Sequence, residues 1–230
     1  LGDGRQIVSP VDELISDLIK SVSDVREIIQ GDIGKIVSDE VLNTYVSLTS
    51  QLIISRPTTQ AQRKAISSVY TAMHGVGWNT LKSVFSNCGF TEPMAALEQR
   101  DPDPAFPTVA FPNPEEPGAI DLALAKAREV GADLVIANDP DADRCAAAVN
   151  DPKNGWRMLR GDELGIIFGE WIARSHTHGS FANSIVSSSA LSKFAGHYAI
   201  DFKEVLTGFK WISKIEDLAF GYEEAIGYAV

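Results

Sequence analysis

Two periods alternate along the chain. Leu14, Ile15, Leu18, Ile19 and Val22 recur at helical spacing after Ser9-Pro10 and predict an amphipathic helix. Gly2-Asp3-Gly4 reads as a turn before it, and Ile7-Val8 as a strand end. A second helix is predicted over residues 38–52, with Ser38 as N-cap and Glu40 near the positive end of the dipole. Val41, Leu42, Tyr45, Val46 and Leu48 are available there for packing. Residues 65–73 are rich in strand formers, His74-Gly75-Val76-Gly77 turns the chain, and residues 78–87 return to a helical period. Six prolines between Asp101 and Gly118 make that stretch a connector. A helix over 120–130 ended by Gly131 then leads to a strand over 133–137. Residues 145–149 form another apolar run, and 151–157 a hairpin-like turn. Gly161-Asp162-Glu163 opens a helix through Leu164, Ile167, Phe168, Trp171 and Ile172; a strand over 184–188 and a helix over 189–198 follow. The recurring βα rhythm predicts an α/β protein of two successive units. Residues 1–37 read as the tail of a preceding domain and a linker, 38–155 as one unit, and 156–230 as part of the next.

Asp139-Pro140-Asp141-Ala142-Asp143-Arg144 interrupts this apolar rhythm. Two like charges about 4 Å apart repel by roughly 4 kcal/mol at an effective dielectric near 20, so three converging carboxylates call for a cation. Alternate residues of an extended strand stand about 6.6 Å apart, whereas magnesium binds oxygen at about 2.1 Å. The segment must therefore curl, and Pro140, without an N–H, suits a loop. A calcium loop of the EF-hand kind needs Gly at position 6 and Glu at position 12; Arg144 and Asn150 stand there, which excludes it. A solvated acidic turn is the bland alternative.

Composition narrows the function classes. The 230 residues are 44% hydrophobic and 22% charged, enough for a core. A net charge of −11 argues against a broad nucleic-acid or anionic-membrane surface, though not against a local phosphate pocket. Two cysteines exclude a disulfide framework, and no signal peptide or membrane-length apolar run is found, so the cytoplasm is the expected compartment. A chain that opens on Leu1 and stops at Val230 directly after a dense motif is expected to be a fragment.

Other candidates stay open on the residues alone. Gly75 and Gly77 lack the third glycine of a dinucleotide loop and read as turn residues. His74 is as easily a turn residue as a ligand, and Arg144 as easily an ion-pair partner as a phosphate contact. Lys210 reads as a surface lysine, Glu223 and Glu224 as a solvated turn, His176 and His178 as loop residues, and Cys88 as core.

Taken together and in order, Asp139 to Arg144, Thr207-Gly208-Phe209-Lys210-Trp211-Ile212 and Gly221-Tyr222-Glu223-Glu224-Ala225-Ile226-Gly227-Tyr228 resemble the α-D-phosphohexomutase family, and 71–77 resembles the segment opening its second domain. The resemblance implies two mixed-sheet αβα domains of the phosphohexomutase type in an incomplete chain. It implies that Asp139, Asp141 and Asp143 bind Mg2+, that Arg144 acts catalytically beside a phosphoserine phosphate, and that Thr207, Gly208, Lys210 and Glu223 bind the sugar. The implied parent activity is a phosphoglucomutase or phosphomannomutase acting on a hexose phosphate, with a phosphopentomutase or a non-catalytic metal- or sugar-phosphate-binding module as alternatives. No nucleic-acid or membrane partner is implied, and a monomer or homodimer is expected. The family's phosphoserine loop has no counterpart here: Ser187-Ser188-Ser189 lacks the neighbouring His-Asn-Pro. Nor has the fourth-domain loop that grips the substrate phosphate. Ala225 stands where the family often has serine.

Overall fold

A computed structural model describes residues 6–31, 34–54, 58–174 and 178–230. The Gly2-Asp3-Gly4 turn and His176 lie outside the described residues. Helix α1, Val11–Ser21, forms as its periodicity predicts, yet Leu14, Leu18 and Ile19 are exposed. Helix α2, Asp39–Ile54, packs through Val46 and Ser50, both buried, while Val41, Leu42, Tyr45 and Leu48 are exposed. A short helix α3, Gln60–Ala65, was not foreseen; Thr59 and Gln62 close a capping box at its start.

The first sheet begins with β1, Ser68–Thr71, and is followed by helix α4, Gly77–Cys88, which ends on Gly89 in the left-handed region. Cys88 is buried where α4 meets α2. A two-residue strand β2, Met94–Ala95, then the connector, helix α5, Asp121–Val130, and β3, Leu134–Asn138, follow. Strand β4, Cys145–Asp151, and β5, Gly155–Met158, form a hairpin across the 151–157 turn. The order is β2-β1-β3-β4-β5, parallel through β3 and antiparallel beyond it. Small residues set its core: Ala123, Ala127, Ala137, Ala146 and Ala148 are buried with Val69 and Val135, letting α5 lie close to the sheet.

The second sheet has the order β7-β6-β8-β9. Helix α6, Gly161–Ala173, leads into β6, Ser180–Ser184, helix α7, Ala190–His197, and β7, Asp201–Val205. A single helical turn α8, Phe209–Ile212, precedes β8, Leu218–Glu223, and β9, Gly227–Ala229. The strand expected at 184–188 lies four residues earlier. Ile185 and Val186 attracted the expectation as strand formers, but both are exposed in a turn. The real strand is central and buried throughout despite its polar residues, because Asn183 donates to the Ser188 carbonyl (3.1 Å) and Ser184 pairs with Ser187 (3.0 Å). Both sheets are mixed, as the family resemblance implies.

The units interlock at β8–β9. Ile226, in the turn of the second sheet's hairpin, is fully buried in the core of the first sheet. Tyr228 packs against the cores of both sheets, and its hydroxyl donates to the Gly161 carbonyl at 3.1 Å. Among the described residues no helix is long and apolar enough to cross a membrane.

Candidate metal centre and the loops beside it

In a parallel sheet the loops that follow the strands meet at the carboxyl edge, where ligands bind. The turn after β1 and the acidic loop after β3 are neighbours at that edge, since β1 and β3 pair directly. The Pro140 carbonyl accepts the Val76 N–H at 2.9 Å, stapling the two loops. A Cβ on Gly75 would run into the Pro140 backbone, and one on Gly77 into the Tyr70 hydroxyl. The glycines serve proximity, whereas the left-handed positions of the turn belong to Met73 (φ 48°) and His74 (φ 61°). The turn-only reading of Gly75 and Gly77 is thereby corrected.

The acidic loop curls, as its spacing demands. Ala142 adopts φ 60° and donates its N–H to the Asp139 carbonyl at 3.0 Å. Each of Asp139, Asp141 and Asp143 thus offers one carboxylate oxygen within 4.8 Å of the others. Octahedral coordination at about 2.1 Å sets ligand oxygens about 3 to 4 Å apart, so this all-oxygen donor set fits a small hard cation after a modest contraction. Asp139 is 2% exposed, and its charge is met twice by Arg144: the backbone N–H reaches Oδ1 at 3.0 Å and Nε reaches Oδ2 at 2.6 Å. Each carboxylate oxygen retains a second lone pair for a metal. Desolvation, then the charges of Asp139 and Asp141, push the Asp143 carboxyl above its ordinary range. That is the electrostatic signature of a cluster a divalent cation would relieve.

A second layer holds the loop. Asn138 accepts from the Tyr70 hydroxyl at 3.0 Å and donates to the Arg144 carbonyl at 2.5 Å, bridging the two ends of the acidic loop. Burial raises the pKa of the Tyr70 phenol above its ordinary value, and the neutral hydroxyl is the donor of this bond. Gln99, fully buried, accepts from Thr71 (2.8 Å) and donates to Thr108 (3.0 Å) and the Ala119 carbonyl (3.1 Å). His74 is also buried, with Nε2 2.8 Å from the Thr108 hydroxyl, so it anchors the proline-rich connector. The connector carries Glu115, whose carboxyl is pushed up by desolvation against the pull of Arg144, with Glu116 and Glu224 adding to the shift. Sequence reading missed Gln99 and Glu115; two acids among the prolines, Glu115-Glu116, were the available signal for the latter.

The second sheet brings its own loops to its carboxyl edge. Gly208, at φ 120° where a side chain would be strained, donates its N–H to a Glu223 carboxylate oxygen. Phe209 covers Gly227, where a Cβ would collide with its ring. The backbone of the 207–208 loop therefore meets Glu223. Thr207 is exposed, and the half-buried Lys210 places Nζ 5.8 Å from the Trp211 ring centre. Glu224 points elsewhere, accepting from the Ser188 N–H at 2.8 Å. His178 is exposed.

The two edges are joined. Cys145, directly after Arg144, donates its N–H to the Ile226 carbonyl at 2.9 Å, linking the exit of the acidic loop to the turn after Glu223-Glu224. The molecule is thus an α/β protein of two mixed-sheet units, with an acidic loop on one and polar loops on the other, set at adjoining carboxyl edges. Residues 43–155 match the family described as phosphoglucomutase/phosphomannomutase, alpha/beta/alpha domain II, and residues 160–230 match its domain III. The chain belongs to the phosphoglucomutase/phosphomannomutase family. It is 43% identical to a probable phosphomannomutase of Haemophilus influenzae over 99% of its own length and 46% of that protein's. It is 35% identical to the human phosphopentomutase over 98% of its length and 41% of that protein's. The chain thus spans less than half the length of these relatives. A Burkholderia thailandensis phosphoglucomutase/phosphomannomutase family structure shares the fold with a TM-score of 0.71 and 20% identity, covering 94% of this chain and 44% of that one.

Proposed function

We propose that this chain carries the metal-binding and sugar-binding portions of a magnesium-dependent phosphosugar mutase that interconverts hexose 1-phosphate and hexose 6-phosphate, with glucose or mannose as the sugar. The observation that carries the reading is the Cys145–Ile226 bond, which ties the acidic loop to the turn beside Glu223. One loop, through the cation it would hold, suits the negative charge of a transferring phosphoryl group, and the other suits the hydroxyls of the sugar receiving it.

Asp139, Asp141 and Asp143 would hold the magnesium, which when bound supplies Lewis-acid charge to a phosphoryl oxygen. Arg144 spans both roles: its guanidinium neutralises buried Asp139 and lies beside the cluster, placed to stabilise charge on the phosphoryl oxygens. Glu223 accepts from sugar hydroxyls through lone pairs that the Gly208 N–H leaves free. Thr207, Gly208 and, by its ammonium, Lys210 line the same sugar site. In the first half reaction a sugar hydroxyl oxygen bonds the phosphorus of phosphoserine, the serine oxygen–phosphorus bond breaks, and the proton given up by the sugar hydroxyl passes through a base to the serine oxygen. In the second, the serine oxygen bonds phosphorus of the bisphosphate, a sugar oxygen–phosphorus bond breaks, and the proton returns to the sugar oxygen. The bisphosphate turns over and returns its other phosphoryl to serine. The reading requires a phosphorylated serine from a segment that residues 1–230 do not match in sequence, so the chain by itself is expected to be inactive.

In the full-length protein, Asp141→Asn should lower turnover of glucose 1-phosphate by about a thousandfold or more, the scale of lost preorganised charge in such sites. Unchanged turnover with unchanged magnesium dependence would overturn the assignment. A pentose reading is favoured by the 35% identity to a phosphopentomutase; faster conversion of ribose 1-phosphate than of glucose 1-phosphate would establish it.

A further inference from the structure

The peptide group between Arg144 and Cys145 is bonded on both sides. Its carbonyl accepts from Asn138 Nδ2 at 2.5 Å, and its N–H donates to the Ile226 carbonyl at 2.9 Å. A trans peptide points these two groups in opposite directions, so the bonds run in one line across the head of β4. Asn138 in turn accepts from the Tyr70 hydroxyl at 3.0 Å. Tyr70 is fully buried, its ring stacked on Trp78 at 6.0 Å, and a Cβ on Gly77 would strike its hydroxyl. The line therefore runs from Tyr70 through Asn138 and the 144–145 peptide to Ile226, with every donor facing the same way. Hydrogen bonds so arranged polarise one another.

The far end of the line meets a strained turn. Glu224, Ala225 and Ile226 connect Glu223 to its partner Gly227 in the β8–β9 hairpin, and Ile226 takes φ 58°. Glycine ordinarily fills that left-handed position, and a β-branched residue there is an outlier. Such a conformation persists only where its surroundings over-determine it. Burial in the core of the first sheet holds the Ile226 side chain, and the Cys145 N–H holds its carbonyl.

We propose that Tyr70 and Asn138 are positioning residues for the sugar site: through the Arg144–Cys145 peptide they keep the 224–226 turn in its left-handed form, and with it Glu223 in a fixed place relative to Arg144. The inference rests on the mutase reading and extends it to two residues of the first sheet that act through the backbone.

The test joins steady-state kinetics of the full-length protein on glucose 1-phosphate to the amide resonance of Cys145, observed without metal or sugar after selective 15N-cysteine labelling. Tyr70→Phe keeps the ring and its stacking and removes only the hydroxyl. It should raise KM about threefold with kcat within about twofold, the pattern of binding weakened equally in ground and transition states. Asn138→Ala should raise KM about tenfold, and the double variant no further, because both residues act on one line of bonds. In Tyr70→Phe the Cys145 amide proton should move upfield and exchange faster with solvent, although the deleted hydroxyl lies two hydrogen bonds up the line. A role in core packing alone predicts a lower Tm with KM and the Cys145 amide at their wild-type values. KM unchanged in both variants overturns the inference and leaves the mutase reading standing, and a raised KM with an unmoved Cys145 amide overturns the route through the 144–145 peptide. A wild-type protein that neither binds nor converts any sugar phosphate overturns the mutase reading and this role with it.

Discussion

The two carboxyl edges are built by different means. The acidic loop of the first unit owes its shape to backbone: the Val76–Pro140 bond, the Ala142 turn at φ 60° and the absence of a Cβ at Gly75. The loops of the second unit are held by carboxylates that reach across from β8 to backbone N–H groups. A site for a small cation tolerates little error in oxygen placement, and backbone contacts set that placement rigidly. A site for a sugar is larger, and single side chains suffice to hang its loops.

This contrast can be broken most severely at Gly75. Gly75→Ala drives a methyl group into the Pro140 backbone and should destabilise the protein by about 3 kcal/mol, the upper range for overpacking. Chemical denaturation would measure it, and magnesium affinity should fall alongside; a loss below about 0.5 kcal/mol would show that the loop is looser than its contacts indicate. Glu223→Ala should act more gently on stability, by about 1.5 kcal/mol, the low end for a hydrogen bond to a charged group. It should raise KM about tenfold, and Glu223→Gln, which keeps an acceptor for Gly208, less. Equal effects of the two variants would mean that charge, rather than loop placement, is what Glu223 contributes.

The smallest effect belongs to Glu163, which ties α6 to β5. The Arg157 guanidinium at 2.9 Å, then the Arg160 N–H, hold its carboxyl below the ordinary glutamate value of 4.5. The folded value lies below the unfolded one, so the stabilisation is fully present above about pH 4.5 and is lost as pH falls through the depressed folded value. Glu163→Gln should cost about 0.5 kcal/mol at neutral pH, because the pair is partly exposed. It should also flatten the acid limb of stability below pH 4.5. An acid limb identical to wild type would assign that limb to other carboxylates.

Legibility in the sequence followed the same divide. The acidic loop could be read because its chemistry is local: three carboxylates at alternate positions demand a curl and a cation whatever surrounds them. The β6 strand was misplaced because its polar residues are satisfied by partners outside the strand, Ser187 and the Ser188 carbonyl, which no window of sequence reveals. Gln99 escaped notice for a related reason. Its partners Thr71, Thr108 and Ala119 come together only when the connector folds over the sheet. The α1 periodicity predicted the helix correctly, although its apolar face is exposed. The resemblance to a family added what neither period nor charge contains, namely the expectation that these loops serve one site.

Ile226 bears on how far the two units are interchangeable. Its side chain fills the core of the unit to which its strands do not belong. A hybrid joined between Met158 and Gly161 from two relatives would inherit a plug shaped for one cavity and a cavity shaped for another. The natural recombination unit is therefore not a contiguous stretch of chain: the hairpin of β8 and β9 must travel with the first sheet that receives it.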